Sequence, residues 1–316
     1  MDRIDGLQQR RAMFGFPYAV IKRYYEDHGA WIGSLVAYYA FFSLYPLIVV
    51  FVTVATWLLN DRPDLLQRVL EAMWSKFPFA DAGLTQDEIE RYVAGLGGNS
   101  WILALSLLVT LWGGLGFARV LQDGVNTIWG VARFRRPRSL RRLAHSLSIV
   151  GLLGVGLIGT AIVAGVTLAA DLPMGGVLLA AVANIALSIG VAVAVYRLTI
   201  ATTTELRQLL PGAAIIAGAT YILTLLGGLY VQNVVTRMSG LYGPFASTIG
   251  LLAYVSVLVQ VFVLGTEVNV VRAKRLWPRS MTPTLTEADL RAMQLTMSRE
   301  ALASPGDLDS TPPTGG

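Results

Sequence analysis

Glu267 follows an apolar run, 238–266, that contains no Asp, Glu, Lys or Arg, and it is read as the one acid close to a membrane core. A carboxylate at membrane depth is costly and normally faces water, a substrate or an opposite charge in the protein interior. Two roles fit. It is a group on a transport path, or it is half of a structural ion pair with a base at similar depth, such as Arg119 or Arg197. On a helix, Ser256, Gln260 and Glu267 share one stripe. Asn269 follows, just ahead of the basic boundary Arg272, Lys274 and Arg275. A second polar face lies in the first apolar run, where Tyr39, Ser43 and Pro46 stand at i, i+4 and i+7. Pro46 has no N–H for the carbonyl of Phe42, so a kink is expected there. The freed carbonyl either lines a cavity beside Ser43 and Tyr39, or is healed by Ser43 and neighbouring helices.

Other chemistry lacks its parts. There is no cysteine, which removes disulfides, thiolate metal sites and cysteine nucleophiles. The two histidines, His28 and His145, have no second histidine at metal spacing, so no metal site is expected. No nucleophile elbow, phosphate-binding lysine loop or paired acidic motif occurs. The glycines of 95–98 and 113–116 lack the strand–turn–helix setting of phosphate loops. No cofactor is expected.

The elements that must position these side chains are six uncharged apolar runs: 31–59, 101–118, 143–170, 172–196, 208–236 and 238–266. Each is near the ~18–25 residues that carry an α-helix across a bilayer. Hydrophobic residues are 54% and charged residues 14% of the chain, against roughly 25% charged in a soluble domain. Continuous rather than alternating runs favour helices over a barrel. The expected fold is all-α, a polytopic membrane bundle of six transmembrane helices with both termini cytoplasmic. Residues 1–30 form a cytoplasmic N-terminus with an interfacial helix, 31–275 the transmembrane domain, and 276–316 a cytoplasmic tail, disordered at its end.

Charge sets the orientation. The segments 1–30, 119–142, 197–207 and 267–316 hold 20 Lys and Arg, and the alternate segments hold 5. Excess basic residues mark the cytoplasmic side, which puts loop 60–100 outside. A single cysteine at position 80 is therefore expected to react with an impermeant thiol reagent in intact cells; reaction only after permeabilisation would reverse the assignment. No cleaved leader is expected, and the first membrane helix serves as the insertion signal.

Between the runs, residues 16–30 read as an amphipathic interfacial helix, packed against the bundle end or lying at the bilayer surface. Loop 60–100 reads as two short amphipathic helices, one over 63–77 and one opened by the Thr85–Glu88 capping box. Small residues at four-residue spacing, Ala161/Gly165/Ala169 and Ala214/Gly218, read as ordinary close packing. Thr286 to Asp289 reads as the cap of a short helix with Leu290, Met293 and Met297 on one face. The basic run Arg133, Arg135, Arg136, Arg138, Arg141 and Arg142 reads as a topology anchor in contact with anionic lipid, with no nucleic acid as partner.

Four segments carry a family resemblance. Ala37 to Pro46 resembles the first-helix motif of the YihY/BrkB family of bacterial inner-membrane proteins. Asn126-Thr127-Ile128-Trp129-Gly130-Val131 resembles its Asn-x-x-Trp-Gly segment, which adds Asn126 to the candidate polar residues. Leu210-Pro211-Gly212-Ala213 fits the opening of the fifth membrane helix, and Gly265-Thr266-Glu267-Val268-Asn269 fits the Gly-x-Glu-x-Asn ending of the last. Thr266 stands where alanine is common, and the chain beyond Pro278 shows no family pattern. The resemblance implies six membrane helices with both ends cytoplasmic, a link to serum resistance, and movement of lipids or lipid-linked envelope precursors. The family's older label, ribonuclease BN, is regarded as mistaken. The resulting expectation is a multi-pass protein of the plasma (inner) membrane, not an enzyme, that transports or handles lipid or envelope precursors. The alternatives are a scaffold that binds envelope proteins through loop 60–100, and a ribonuclease, for which loops 119–142 and 197–207 offer only Asp123 and Glu205 as acids.

Overall fold

A backbone in hydrocarbon must satisfy its own N–H and C=O groups, and long apolar segments do so by forming helices. The structure, a computed structural model, describes residues 5, 12–59, 61–62, 64–69, 100–137, 139–169, 173–230 and 245–300; over part of these, including 45–58 and 164–169, it describes the backbone alone. Among the described residues there are helices and no strand. They are α1 (Ala12–Glu26), α2 (Gly29–Leu58), α3 (Ser100–Ile128), α4 (Ser139–Ala169), α5 (Met174–Thr199), α6 (Leu206–Tyr230), α7 (Phe245–Ala273) and α8 (Glu287–Glu300), with a 3-10 turn at Arg133–Arg135.

Helices α2 to α7 pack in chain order, each against the next, and α7 returns to α2 to close a ring. α1 lies against α7. The interior is filled by residues such as Val36 of α2, Leu121 of α3, Ile149 of α4, Tyr196 of α5, Leu209 of α6 and Val270 of α7. Much of the remaining apolar surface points outward. In the apolar window of α5 only 11% of residues are buried, and Leu178, Leu179 and Val182 are exposed on its outer face. An apolar exterior of this extent suits lipid rather than water.

Among the described residues, four stretches are long and apolar enough to cross a membrane: Leu140–Val163, Met174–Thr199, Leu206–Thr224 and Thr248–Ala273. They make this a helical membrane protein. The other two expected spans fall in α2 and α3, of 30 and 29 residues, whose backbones reach ~45 Å at 1.5 Å per residue. α2 runs unbroken through position 46, with the Pro46 ring outside the described side chains. Most of loop 60–100, including the helix expected after Thr85, lies outside the described residues, as do Arg138 and the tail beyond 300.

Two joints shape the basic end. His28 takes φ 55°, a left-handed turn that histidine tolerates better than most non-glycine residues, and it sends the chain from α1 into α2. Gly130 takes φ 69° just after α3. The Val131 N–H returns to the Asn126 carbonyl at 2.9 Å and the Gly130 N–H to the Thr127 carbonyl at 3.1 Å, the paired bonds that close a helix on a glycine.

In α4 Ala161 is fully buried, but in α6 the close packing does not follow the expected spacing. Gly218 has open space around it, whereas a Cβ on Gly212 of α6 would overlap the Gly265 carbonyl oxygen of α7. α8 also turns its expected apolar face outward. Leu290, Met293 and Met297 are exposed, and Ala288, Asp289 and Ala292 are the buried side.

Candidate functional site

α7 carries Glu267 into the packed end of the ring, where the residue is 0% exposed. Neither carboxylate oxygen has a hydrogen-bond partner among the described residues. The expected partners do not reach it: Arg119 and Arg197 are exposed, because their positions on α3 and α5 point away from the ring interior. The charged groups within electrostatic reach are instead Asp27, Arg23, Glu26 and Arg299, on α1, the α1–α2 joint and α8.

These groups belong to a buried clasp between the two ends of the chain. Arg23, fully buried, lies with Nε 2.8 Å from Asp27 Oδ2, a charge contact off the line of a hydrogen bond. Its Nη1 donates to the Ala292 carbonyl and to Thr296 Oγ1, each at 3.3 Å. Arg299 Nη1 donates to Asp27 Oδ1 at 2.6 Å. Arg279 donates from Nη2 to Glu26 at 2.6 Å and from Nε to Asp289 Oδ1 at 2.5 Å. Lys22 Nζ adds a bond to the same Asp289 oxygen at 2.9 Å. Asp289 also accepts from the Ser280 N–H at 3.0 Å and from Thr286 through its N–H at 3.0 Å and its hydroxyl at 2.7 Å. Burial pushes the Asp27 carboxyl up to about 6, against the pull of Arg23 and Arg299. Burial acts upward on Asp289 as well, but Arg279, Thr286 and the Ser280 N–H outweigh it and hold that carboxyl well below the usual range.

The expected polar residues of α7 and α3 are joints between helices. Gln260 Oε1 accepts from the Tyr24 hydroxyl at 2.7 Å, and its Nε2 donates to the Ala30 carbonyl at 3.2 Å. Asn269 takes the Gly212 N–H at 2.7 Å and donates to the Leu209 carbonyl at 3.2 Å. It thereby braces α6 around Pro211, which has no N–H of its own. Asn126 does the same for the end of α5: Nδ2 donates to the Thr199 carbonyl at 2.8 Å and Oδ1 accepts from the Ala201 N–H at 2.8 Å. Both asparagines use the two-sided amide: Asn126 to satisfy backbone groups at the end of α5, and Asn269 to tie the start of α6 to α7. Thr266 Oγ1 lies 3.2 Å from the Tyr196 hydroxyl and 2.8 Å from the Phe262 carbonyl, a bond to α5 that the alanine common in the family cannot make.

The polar face of α2 stands apart from Glu267. A Cβ on Gly116 would meet the Tyr39 ring, and one on Gly113 would touch Ser43, so both residues pack on the glycines of α3. Ser43 returns its hydroxyl to the Ala40 carbonyl at 2.8 Å, and Ser256 to the Leu252 carbonyl at 2.7 Å. Of the two arrangements expected beside Pro46, these contacts are of the kind that neighbouring helices and Ser43 supply.

Two of the basic run are anchored. Arg142 Nη2 donates to Asp123 Oδ2 at 2.6 Å. Arg136 donates to the Val131 carbonyl at 3.1 and 3.2 Å and to Thr127 Oγ1 at 3.2 Å. Asp123 is thus engaged by arginines, and Glu205 by Arg207 at 3.0 Å. Arg133, Arg135 and Arg141 are exposed. A cavity of about 340 Å³ opens between α2 and α3, with Asp27, Asp123, Arg136 and Arg299 in its wall.

Sequence reasoning missed the clasp. Its only local trace was the Thr286–Asp289 capping pattern, and Lys22 meets Asp289 across 267 positions. Neither the search of curated proteins nor that of solved structures gives a match. The family model described as Virulence factor BrkB matches residues 20–286, from inside α1 to the doorstep of α8. That stretch holds all four motif segments and both asparagine joints, and the chain belongs to the BrkB family.

Proposed function

We propose that the chain is a six-span protein of the plasma membrane with both termini in the cytoplasm, that it handles lipid or lipid-linked envelope material without enzymatic chemistry, and that Glu267 is the residue on which this depends. The orientation rests on the 20 to 5 split of basic residues. It agrees with a ring that gathers α1, the α3–α4 and α5–α6 loops and α8 at one end, through Asn126 to Ala201 and Ser298 to Gly130. The exposed Arg133, Arg135 and Arg141 are free to meet anionic lipid at that end.

The observation that carries the functional reading is the unpartnered carboxyl of Glu267. A buried acid without a hydrogen bond costs stability, and an apolar residue of similar size would serve packing better. Its retention points to use, and the neighbouring cavity reaches Asp27 of the same charge cluster.

Glu267→Met tests this. The variant is expected to fold at normal yield and to melt in detergent at or above the parent temperature, gaining on the order of 1–3 kcal/mol from the removed polar burial. It is also expected to lose movement of a fluorescent phospholipid across reconstituted proteoliposome membranes. Full lipid movement in the variant, or none in the parent, would overturn the reading. A marked fall in melting temperature would make Glu267 structural.

A further inference from the structure

A second cavity, of about 580 Å³, lies at the basic end of the ring, away from Glu267. Its walls come from four places: the α3–α4 loop with Trp129 and Arg135, the α5–α6 loop with Thr202, Thr203 and Thr204, the end of α7 with Lys274, and α8. The size is that of a small-molecule site.

The lining has one sign of charge. Arg135 and Lys274 are its charged groups, no Asp or Glu lines it, and neither cation is ion-paired among the described residues. Arg135 stands 5.6 Å from the centre of the Phe134 ring, a contact that leaves its donors free. Glu205, which follows the threonine loop in sequence, is held by Arg207 at 3.0 Å. Thr202, Thr203 and Thr204 line the same cavity as this pair of cations. Trp129, 4% exposed, also belongs to the wall, and its indole N–H is a buried donor with no acceptor. The joints described above hold this arrangement. Asn126 pins Ala201, and with it the start of the threonine loop, to the end of α3.

Two free cations and a row of threonines form a donor-rich hollow with no anion of its own. We propose that this cavity binds a phosphomonoester. Such a group carries about −1.5 to −2 at neutral pH, close to the charge of the two cations, and offers three acceptor oxygens to the hydroxyl and N–H donors. The volume leaves room for the rest of a small organic phosphate. The same headgroup occurs on a soluble metabolite and on a phosphatidate lipid. The site stands whether or not the protein moves lipid, because its walls are loops at the basic end and not the ring interior.

The test titrates the purified full-length protein, in detergent at low salt, with glycerol 3-phosphate. Saturable binding with a rise in melting temperature is expected, and none with glycerol. The double variant Arg135→Gln/Lys274→Gln is expected to bind about a hundredfold more weakly, roughly tenfold for each cation. Both side chains are exposed, so folding should hold. Thr203→Glu, which puts a like charge in the opposite wall, should abolish binding as well. Arg119→Gln, exposed on α3 but off the cavity, should leave affinity unchanged. Nanodiscs separate the sources. If phosphatidic acid in phosphatidylcholine discs displaces glycerol 3-phosphate, the site takes a lipid headgroup. If it does not, the site takes a soluble phosphate. Failure of both probes to bind saturably, or a double variant that binds like the parent, would overturn the proposal.

Discussion

Asp289→Ala is expected to free α8 from α1 and to cost about 3–5 kcal/mol, the usual range when one partner of a buried ion pair is removed. The carboxylate is 2% exposed and serves both Arg279 and Lys22. It also accepts from the Ser280 N–H and from Thr286, so its loss strands several donors at once. Part of the cost is the loss of the reciprocal cap, in which the Asp289 N–H returns to Thr286 Oγ1 at 3.2 Å. Thermal unfolding in detergent and limited proteolysis within 287–300 are the measurements. An unchanged melting temperature with α8 still protected would show that apolar packing alone holds it. Glu287→Ala is the control. Glu287 pairs with Arg291 on an exposed face, and such pairs contribute under ~1 kcal/mol. The pH dependence has a definite sign. The folded carboxyl of Asp289 is held below its ordinary value of 3.8, so its contribution is fully present above that value and drains away as the pH falls through and below it.

Gly212→Ala is expected to be nearly as damaging, from one methyl group. The new Cβ would overlap the Gly265 carbonyl oxygen and the amide of Asn269. Backbone cannot swing aside as a side chain can, so α6 and α7 must separate. Overpacking of this kind costs ~1–3 kcal/mol and sometimes more. Here it also removes the Asn269 bonds to Gly212 and Leu209. Folded yield and melting temperature should both drop. Gly218→Ala, on the same helix with nothing within 4 Å, should be neutral or slightly stabilising, since alanine is the better helix former. Equal effects at the two positions would remove the α6–α7 contact from the account.

This pair of glycines shows how far local pattern reaches. Four-residue spacing singled out Ala214 and Gly218 because spacing reports only which residues share a face. Which face meets a neighbour depends on the rotation of α6 in the ring, and that is settled by α7. The same holds for α8. Its start was legible from the Thr286–Asp289 cap, but its buried side was not, because Lys22 and Arg23 of α1 stand more than 260 positions away and draw in Asp289 and the Ala292 carbonyl respectively. Glu267 was legible as an exceptional acid. Its surroundings were not, since depth along a helix pointed to Arg119 and Arg197 while rotation left both outside.

The sequence by itself determined the class of solvent. Long uncharged apolar runs exclude water from their surface, and that is a sum over neighbouring residues that needs no knowledge of contacts. Only the tertiary structure decided what each polar residue does. Asn126 and Asn269 became joints, Tyr39 and Ser43 became packing against glycine, and Glu267 was left alone beside the clasp of the chain ends. The reason is that a polar side chain in a bundle is defined by the group it faces, and that group comes from a helix whose position no local pattern encodes.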